Sequence, residues 1–363
     1  MVRVASSGRS KSISTIIAAV VVTIIVIVAA VAGYFFLTAT PNTTTTSKVQ
    51  GTISVVHSAT SDYAPLSVAI QQGFFAKEGL TVKDVSVATP NLVISALESG
   101  SAQIGSGAPV GIMTSKEQGY LLQYIAPADV VSYPSGSKVG QYVQGVSVHA
   151  EVVLASSGIT DWAGLKGKAI GVLSIGGPQE VNTNFVLSQY GVNSSSVTYV
   201  PVSNANQLTS LEQNRIDVAE MVQPFITEVQ LLNQSGSMAG QFRIIGDDYN
   251  YGTRGSLITG YVATPQWANS NQQIVKEYIA GLTMAVNAIR ANSSLARQYF
   301  INTLKINSTA AAAMPMLNYT YGPIPYLFIQ GQINLSIKVG ILTNPTDDAT
   351  SIVNPNFMQL TST

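Results

Sequence analysis

The groups that usually run covalent chemistry are scarce in this chain. There is no cysteine, and the two histidines are His57 and His149. Disulfides, thiolate metal sites and a thiol nucleophile are therefore excluded. Each histidine stands alone in a strand-like run, which favours a structural role over a catalytic or metal-binding one. The chain offers small, hydroxylated loops instead. Four of them, at 58–64, 88–91, 106–109 and 174–179, follow an apolar run and precede a helical pattern. Such loops expose main-chain N–H groups, and helix N-termini leave donors unpaired and carry partial positive charge. Several converging on one cleft hold an anion without lysine or arginine. The candidates in these loops are Ser61, Asp62, Tyr63, Asn91, Ser106, Gly107, Ser174, Gly176 and Gly177. Micromolar capture needs about −8 kcal/mol. A hydrogen bond to a charged group contributes about 1.5–3 kcal/mol, so a handful of donors suffices.

Each candidate has a plainer alternative. Asp62 and Asn91 have the residue types of helix caps. Tyr63 either packs on its own lobe or covers a ligand. Ser106 and Gly107 shape a turn, and Ser174, Gly176 and Gly177 could equally form a cap and its turn. Arg254, in DDYNYGTRGS (247–256), either clamps an anion or is a solvated surface charge.

The elements that must position these loops alternate between short apolar runs and helical patterns, as in βα units with a mainly parallel sheet. Strands are expected at 52–59, 80–88 and 102–109, with helices from Pro65 and over 92–100. After a strand at 146–155 a second block of the same kind begins. It has strands at 168–174, 197–203 and 216–222 and helices at 180–191 and 204–214, and a strand at 257–263 returns to the first lobe. The helix at 272–292 has Ile274, Tyr278, Leu282, Ala285 and Ile289 along one face, a core stripe. This gives a first lobe over 51–155 that includes a hinge strand, a second over 156–256, and a return over 257–363. Two crossing strands link the lobes as a hinge.

At 363 residues, 46% hydrophobic and 10% charged, the chain is long and apolar enough for two cores. Lys+Arg and Asp+Glu number 18 each, so no basic field for nucleic acid exists. Few titratable groups among many polar neutral ones suit a surface protein in an acidic medium.

Residues 13–37 are 25 in a row without a charge, about 38 Å as a helix against a hydrocarbon core of about 30 Å. Arg3, Arg9 and Lys11 precede this segment. The basic N-terminus (1–12) thus stays cytoplasmic, 13–37 forms a single-pass anchor, and 38–50 is a Thr-rich linker leading to an extracytoplasmic domain at the cell surface. A cleaved secretory signal ending near Ala30-Val31-Ala32 is the alternative. Lys11-Ser12 resembles the processing site of pilin-like signals on archaeal surface binding proteins, where cleavage leaves the helix attached. Seven acceptor sequons, at Asn42, Asn193, Asn233, Asn292, Asn307, Asn318 and Asn334, lie beyond the segment.

Four co-linear stretches resemble one family. QQGFFAKEGL (71–80), ALESGSAQIGSGAP (96–109), GITDWAGLKGKAIGV (158–172) and LEQNRIDVAEMVQPF (211–225) are similar to the nitrate, sulfonate and taurine binding proteins of ABC importers, a group that includes thiamine-pyrimidine precursor binders. The resemblance implies an α/β, two-lobed type II periplasmic-binding-protein fold. It also implies capture of a small solute, a sulfonate, nitrate or similar oxyanion, for a permease and its ATPase. Gln223, before Pro224, is the side-chain candidate in the second lobe, standing where many relatives have an acidic or aromatic residue. Arg215-Ile216-Asp217 replaces the more usual Gly-(Ile/Val)-Asp. No cofactor or metal is expected, and a monomer is.

A neutral heterocycle such as a thiamine-pyrimidine precursor is the other ligand class. A precursor-synthesis enzyme on the same fold is the rival function, disfavoured because cysteine is absent and neither histidine falls in a candidate loop. A membrane-tethered sensor is a third reading, weakened by the dozen residues before the anchor.

Overall fold

The computed structural model describes residues 50–362 apart from 88, 132, 235–237 and 251–254, so the expected anchor and Arg254 lie outside the described residues. Among the described residues no helix is long and apolar enough to cross a membrane.

β1 (Gly51–Ser58) and β2 (Leu80–Val87) pair in parallel from Gly51↔Leu80 to Ser58↔Val87. The chain then forms β3 (Gly105–Gly107) and β4 (Gln123–Val131). A second set comprises β5 (His149–Leu154), β6 (Ala169–Val172), β7 (Thr198–Pro201), β8 (Val218–Val222) and β9 (Phe242–Gly246). β10 (Ser256–Ala263), β11 (Asn318–Tyr319), β12 (Ile324–Pro325) and β13 (Leu360–Thr361) follow. Two larger sheets result, ordered β11-β4-β10-β3 and β7-β6-β8-β5-β9. β1 lies alongside the start of β3, with Val56 N–H donating to the Ile104 carbonyl at 3.0 Å.

The sheets are more mixed than the sequence suggests. β10 runs antiparallel to both β3 and β4, and β5 runs antiparallel to both β8 and β9. Each of these strands leaves the other sheet's half of the chain and enters against the direction of its βα neighbours. β5, expected among the first lobe's elements, is hydrogen-bonded within the second sheet. Residues 110–145, given no elements in the sequence reading, form most of the helix Pro109–Glu117 and all of β4.

Both faces of the second sheet are covered. Val153, Ile170, Val172 and Val218 pack with Trp162, Leu165, Val186 and Leu187. Ala150, Val152, Ala219 and Met221 pack on the opposite face with Leu211, Ile226 and Phe242. The largest cluster lies under the first sheet, where Phe75 stacks on Tyr278 with centroids 5.1 Å apart. Burying such rings supplies most of the driving force that holds the loops in place.

Candidate functional site

The loops leaving the carboxyl ends of β1, β3 and β6 meet around one cavity of about 400 Å³, together with the start of the helix Pro90–Glu98. This is where ligands sit in open α/β sheets. Nine of the eleven candidates line it: Ser61, Asp62, Tyr63, Asn91, Ser106, Gly107, Ser174, Gly176 and Gly177. They come from both halves of the chain.

Three helices begin at the cavity. Pro90–Glu98, Pro109–Glu117 and Pro178–Gln189 each carry proline in the first turn and have no side-chain cap. Proline removes a donor that would be unpaired anyway, and the uncapped N–H groups that follow face whatever occupies the loop region. Asn91 is not a cap, because Thr89 holds that position. Asp62 lies within the short 3-10 turn Ser61–Tyr63. Glycine is demanded twice in the second-half loop. Gly176 has φ +71°, and a Cβ on Gly177 would fall 2.3 Å from Ser174 Oγ.

Tyr63 is a floor residue, buried, with its hydroxyl 2.7 Å from Thr259 Oγ1 and its ring against His57. Burial pushes the Tyr63 phenol well above its ordinary range. Asp129, buried behind it, has its carboxyl raised first by burial and then by the charge of Asp62. The lining includes Asp62 and Glu98 but no lysine or arginine among the described residues. Ser61 Oγ donates to the Gln223 carbonyl at 2.8 Å, tying a first-half loop to the end of β8.

One candidate behaves differently from expectation, and another cannot be placed. Gln223 is buried but does not line the cavity, since its side-chain oxygen accepts from the Thr227 hydroxyl at 2.9 Å. Its contribution is the carbonyl that receives Ser61. Arg254 lies outside the described residues. The sequence reading also missed His149, which lines the cavity, stacks on Tyr249 at 3.8 Å and places Nδ1 2.8 Å from Glu220 Oε1. It sits at the first residue of β5, a strand end, which was the available signal. His57 stays structural, with Nε2 2.7 Å from Asp84 Oδ1.

A profile of the family described as NMT1/THI5 like matches residues 60–133 and 137–294. A 4-amino-5-hydroxymethyl-2-methylpyrimidine phosphate synthase of Uromyces fabae is 31% identical over 143 residues, 39% of this chain and 37% of that protein. The matched region thus spans little more than a third of the synthase. Among solved structures, the periplasmic aliphatic sulphonate binding protein SsuA of Escherichia coli aligns at TM-score 0.65 and 16% identity, covering 84% of this chain and 92% of that one. The periplasmic nitrate-binding protein NrtA of Synechocystis PCC 6803 aligns at TM-score 0.67 and 15% identity, covering 85% and 86%. At these identities the likeness speaks for the fold, a type II periplasmic-binding-protein architecture.

Proposed function

This chain belongs to the NMT1/THI5-like family, and from that premise we propose that it is the extracytoplasmic solute-binding subunit of an ABC importer. The observation that carries this reading is the cavity of about 400 Å³ lined from both halves of the chain and ringed by three uncapped helix N-termini. Its volume suits one small solute. The ligand class is a small oxyanion, a sulfonate or nitrate, whose oxygens accept from loop amides and from the hydroxyls of Ser106 and Ser174. Bonds across the cavity such as Ser61 to Gln223 then favour the closed form, which the permease reads. The chain acts as a monomer tethered by its N-terminal segment. Asn193, Asn292, Asn307, Asn318 and Asn334 are exposed and open to glycosylation.

A second reading keeps the same architecture with a neutral or basic heterocycle as ligand. It is favoured by the acidic residues Asp62 and Glu98 in a lining with no lysine or arginine among the described residues, and by the pyrimidine phosphate synthase named among the relatives. Catalysis is a weaker reading despite His149, because the cavity wall offers no thiol and His149 is tied to Glu220.

Titration calorimetry with nitrate, short alkanesulfonates and 4-amino-5-hydroxymethyl-2-methylpyrimidine separates these possibilities. The expected result is one oxyanion per chain at micromolar affinity. Saturable binding of the pyrimidine alone would favour the second reading, and silence with all three would sink solute capture in this class. His149→Ala should still bind.

A further inference from the structure

Beneath the cavity, the second sheet carries charges where a core should be apolar. Along β5, Val153 packs toward the helix Pro178–Gln189, and strand alternation puts Glu151 on that same face. Along β8, Val218 does the same and brings Glu220 with it. The antiparallel register sets Glu151 directly opposite Glu220, an arrangement that destabilises a pair of like charges even at a surface. Here both are fully buried, as is Asp248 just beyond β9. One ring nitrogen of His149, one oxygen of Glu220 and one of Asp248 lie within 4.8 Å of one another.

What sets this cluster apart from a chance group of acids is its unmet bonding. Both carboxylate oxygens of Glu151, both of Asp248 and Oε2 of Glu220 have no hydrogen-bond partner among the described residues. On the covering helix, Asn182 is one turn before Val186 and so on the same face. It is fully buried, and neither its Oδ1 nor its Nδ2 has a partner among the described residues. Burying carboxylates without compensation costs far more than a fold of this size has to spare. No lysine or arginine forms an ion pair with Glu151, Glu220 or Asp248 among the described residues.

We propose that His149, Glu220, Asp248 and Glu151 form a buried binding site for one first-row divalent cation, of the Zn²⁺ or Mn²⁺ type. One imidazole with carboxylates suits these ions, whereas Mg²⁺ and Ca²⁺ prefer all-oxygen shells. Ligand atoms about 2.1 Å from a common ion lie at most about 4.2 Å apart, so groups already within 4.8 Å of one another need only small shifts to close on it. Asn182 serves as a supporting partner from the helix. The site lies beside the solute cavity but does not depend on what that cavity takes.

The test uses the full chain without an affinity tag, stripped with chelator and confirmed folded by circular dichroism. Calorimetry with Zn²⁺, Mn²⁺, Mg²⁺ and Ca²⁺, followed by elemental analysis after dialysis, should show one Zn²⁺ or Mn²⁺ per chain and much weaker Mg²⁺ and Ca²⁺. Asp248→Asn and Glu151→Gln, which keep shape, should each weaken the transition-metal ion at least tenfold. If these variants do not fold, X-ray absorption of the Zn²⁺-loaded wild type should show one imidazole nitrogen and otherwise oxygen ligands. A folded wild type that takes up no stoichiometric ion, an unchanged affinity in both variants, or a shell without imidazole overturns the proposal.

Discussion

Stability should fall as pH rises from 4 to 7, the reverse of ordinary acid denaturation. Asp247 is fully buried, accepting from the Tyr133 hydroxyl at 2.7 Å and from Tyr249 N–H at 3.0 Å. Burial outweighs these bonds and the nearby His149 and pushes its carboxyl from 3.8 up to about 6. Between those values the folded chain holds a proton that the unfolded chain has released, so folding weakens as pH rises and levels off above about 6. A shift of about two units corresponds to about 3 kcal/mol. Asp129, Glu151 and Asp248 are raised well above the usual range, mainly by burial, and act in the same direction. Asp348 is held low by bonds from Thr350 and Tyr326. Its stabilisation is lost only as pH drops below the usual carboxylate range, outside this window. Asp247→Asn removes one titrating group. Because the amide nitrogen cannot accept, one bond worth about 1 kcal/mol goes as well, so the diagnostic quantity is the slope and not the level. Urea unfolding in excess chelator, followed by tryptophan fluorescence at pH 4, 5, 6 and 7, measures it. The variant should lose about 2 kcal/mol of pH dependence over this range. A wild type that gains stability over this range, or a variant with the wild-type slope, would refute the reasoning.

Three further outcomes follow from single contacts. Ser61→Ala deletes the buried bond to the Gln223 carbonyl and should weaken solute binding by about 1–2 kcal/mol, roughly 5- to 30-fold, in calorimetry. Gly177→Ala would bring a Cβ within 2.3 Å of Ser174 Oγ. Solute binding should collapse while the circular dichroism spectrum is kept, and normal affinity would show that this loop is not used. Phe75→Ala removes a ring stacked on Tyr278 and pressed against Gly281, and should cost about 3–5 kcal/mol in urea unfolding without changing the affinity of the folded protein.

What could be read in advance was local. Strand β1, the helix over 272–291 and the loop around Gly176 announce themselves through apolar runs, helical spacing and glycine punctuation, all visible within a dozen residues. β4 escaped notice because QYIAPADVV carries Pro127, which argues against a strand flanked on both sides. In the structure Pro127 stands opposite Gly260 beside a register shift, where a missing donor is tolerated. Gln223 has the position of a ligand residue, yet the junction between β8 and its helix turns the side chain toward Thr227, four residues on.

The buried acids mark a different limit. In HAEVVL and VAEMV a glutamate among apolar residues fits a half-exposed strand, with one charge per turn of the pleat facing water. That inference fails when helices cover both faces, and sequence spacing cannot reveal that 69 positions separate two residues that end up opposite one another. Once Glu151 and Glu220 are known to be cross-strand partners under the helix Pro178–Gln189, the same letters that read as solvent-facing become buried carboxyl groups, three of whose four oxygens lack a hydrogen-bond partner among the described residues. A fold keeps such a charge when a proton or a cation neutralises it. Metal titration and the pH profile of the chelated chain distinguish these two agents, because a bound cation competes with protons and should flatten the acid-side gain in stability.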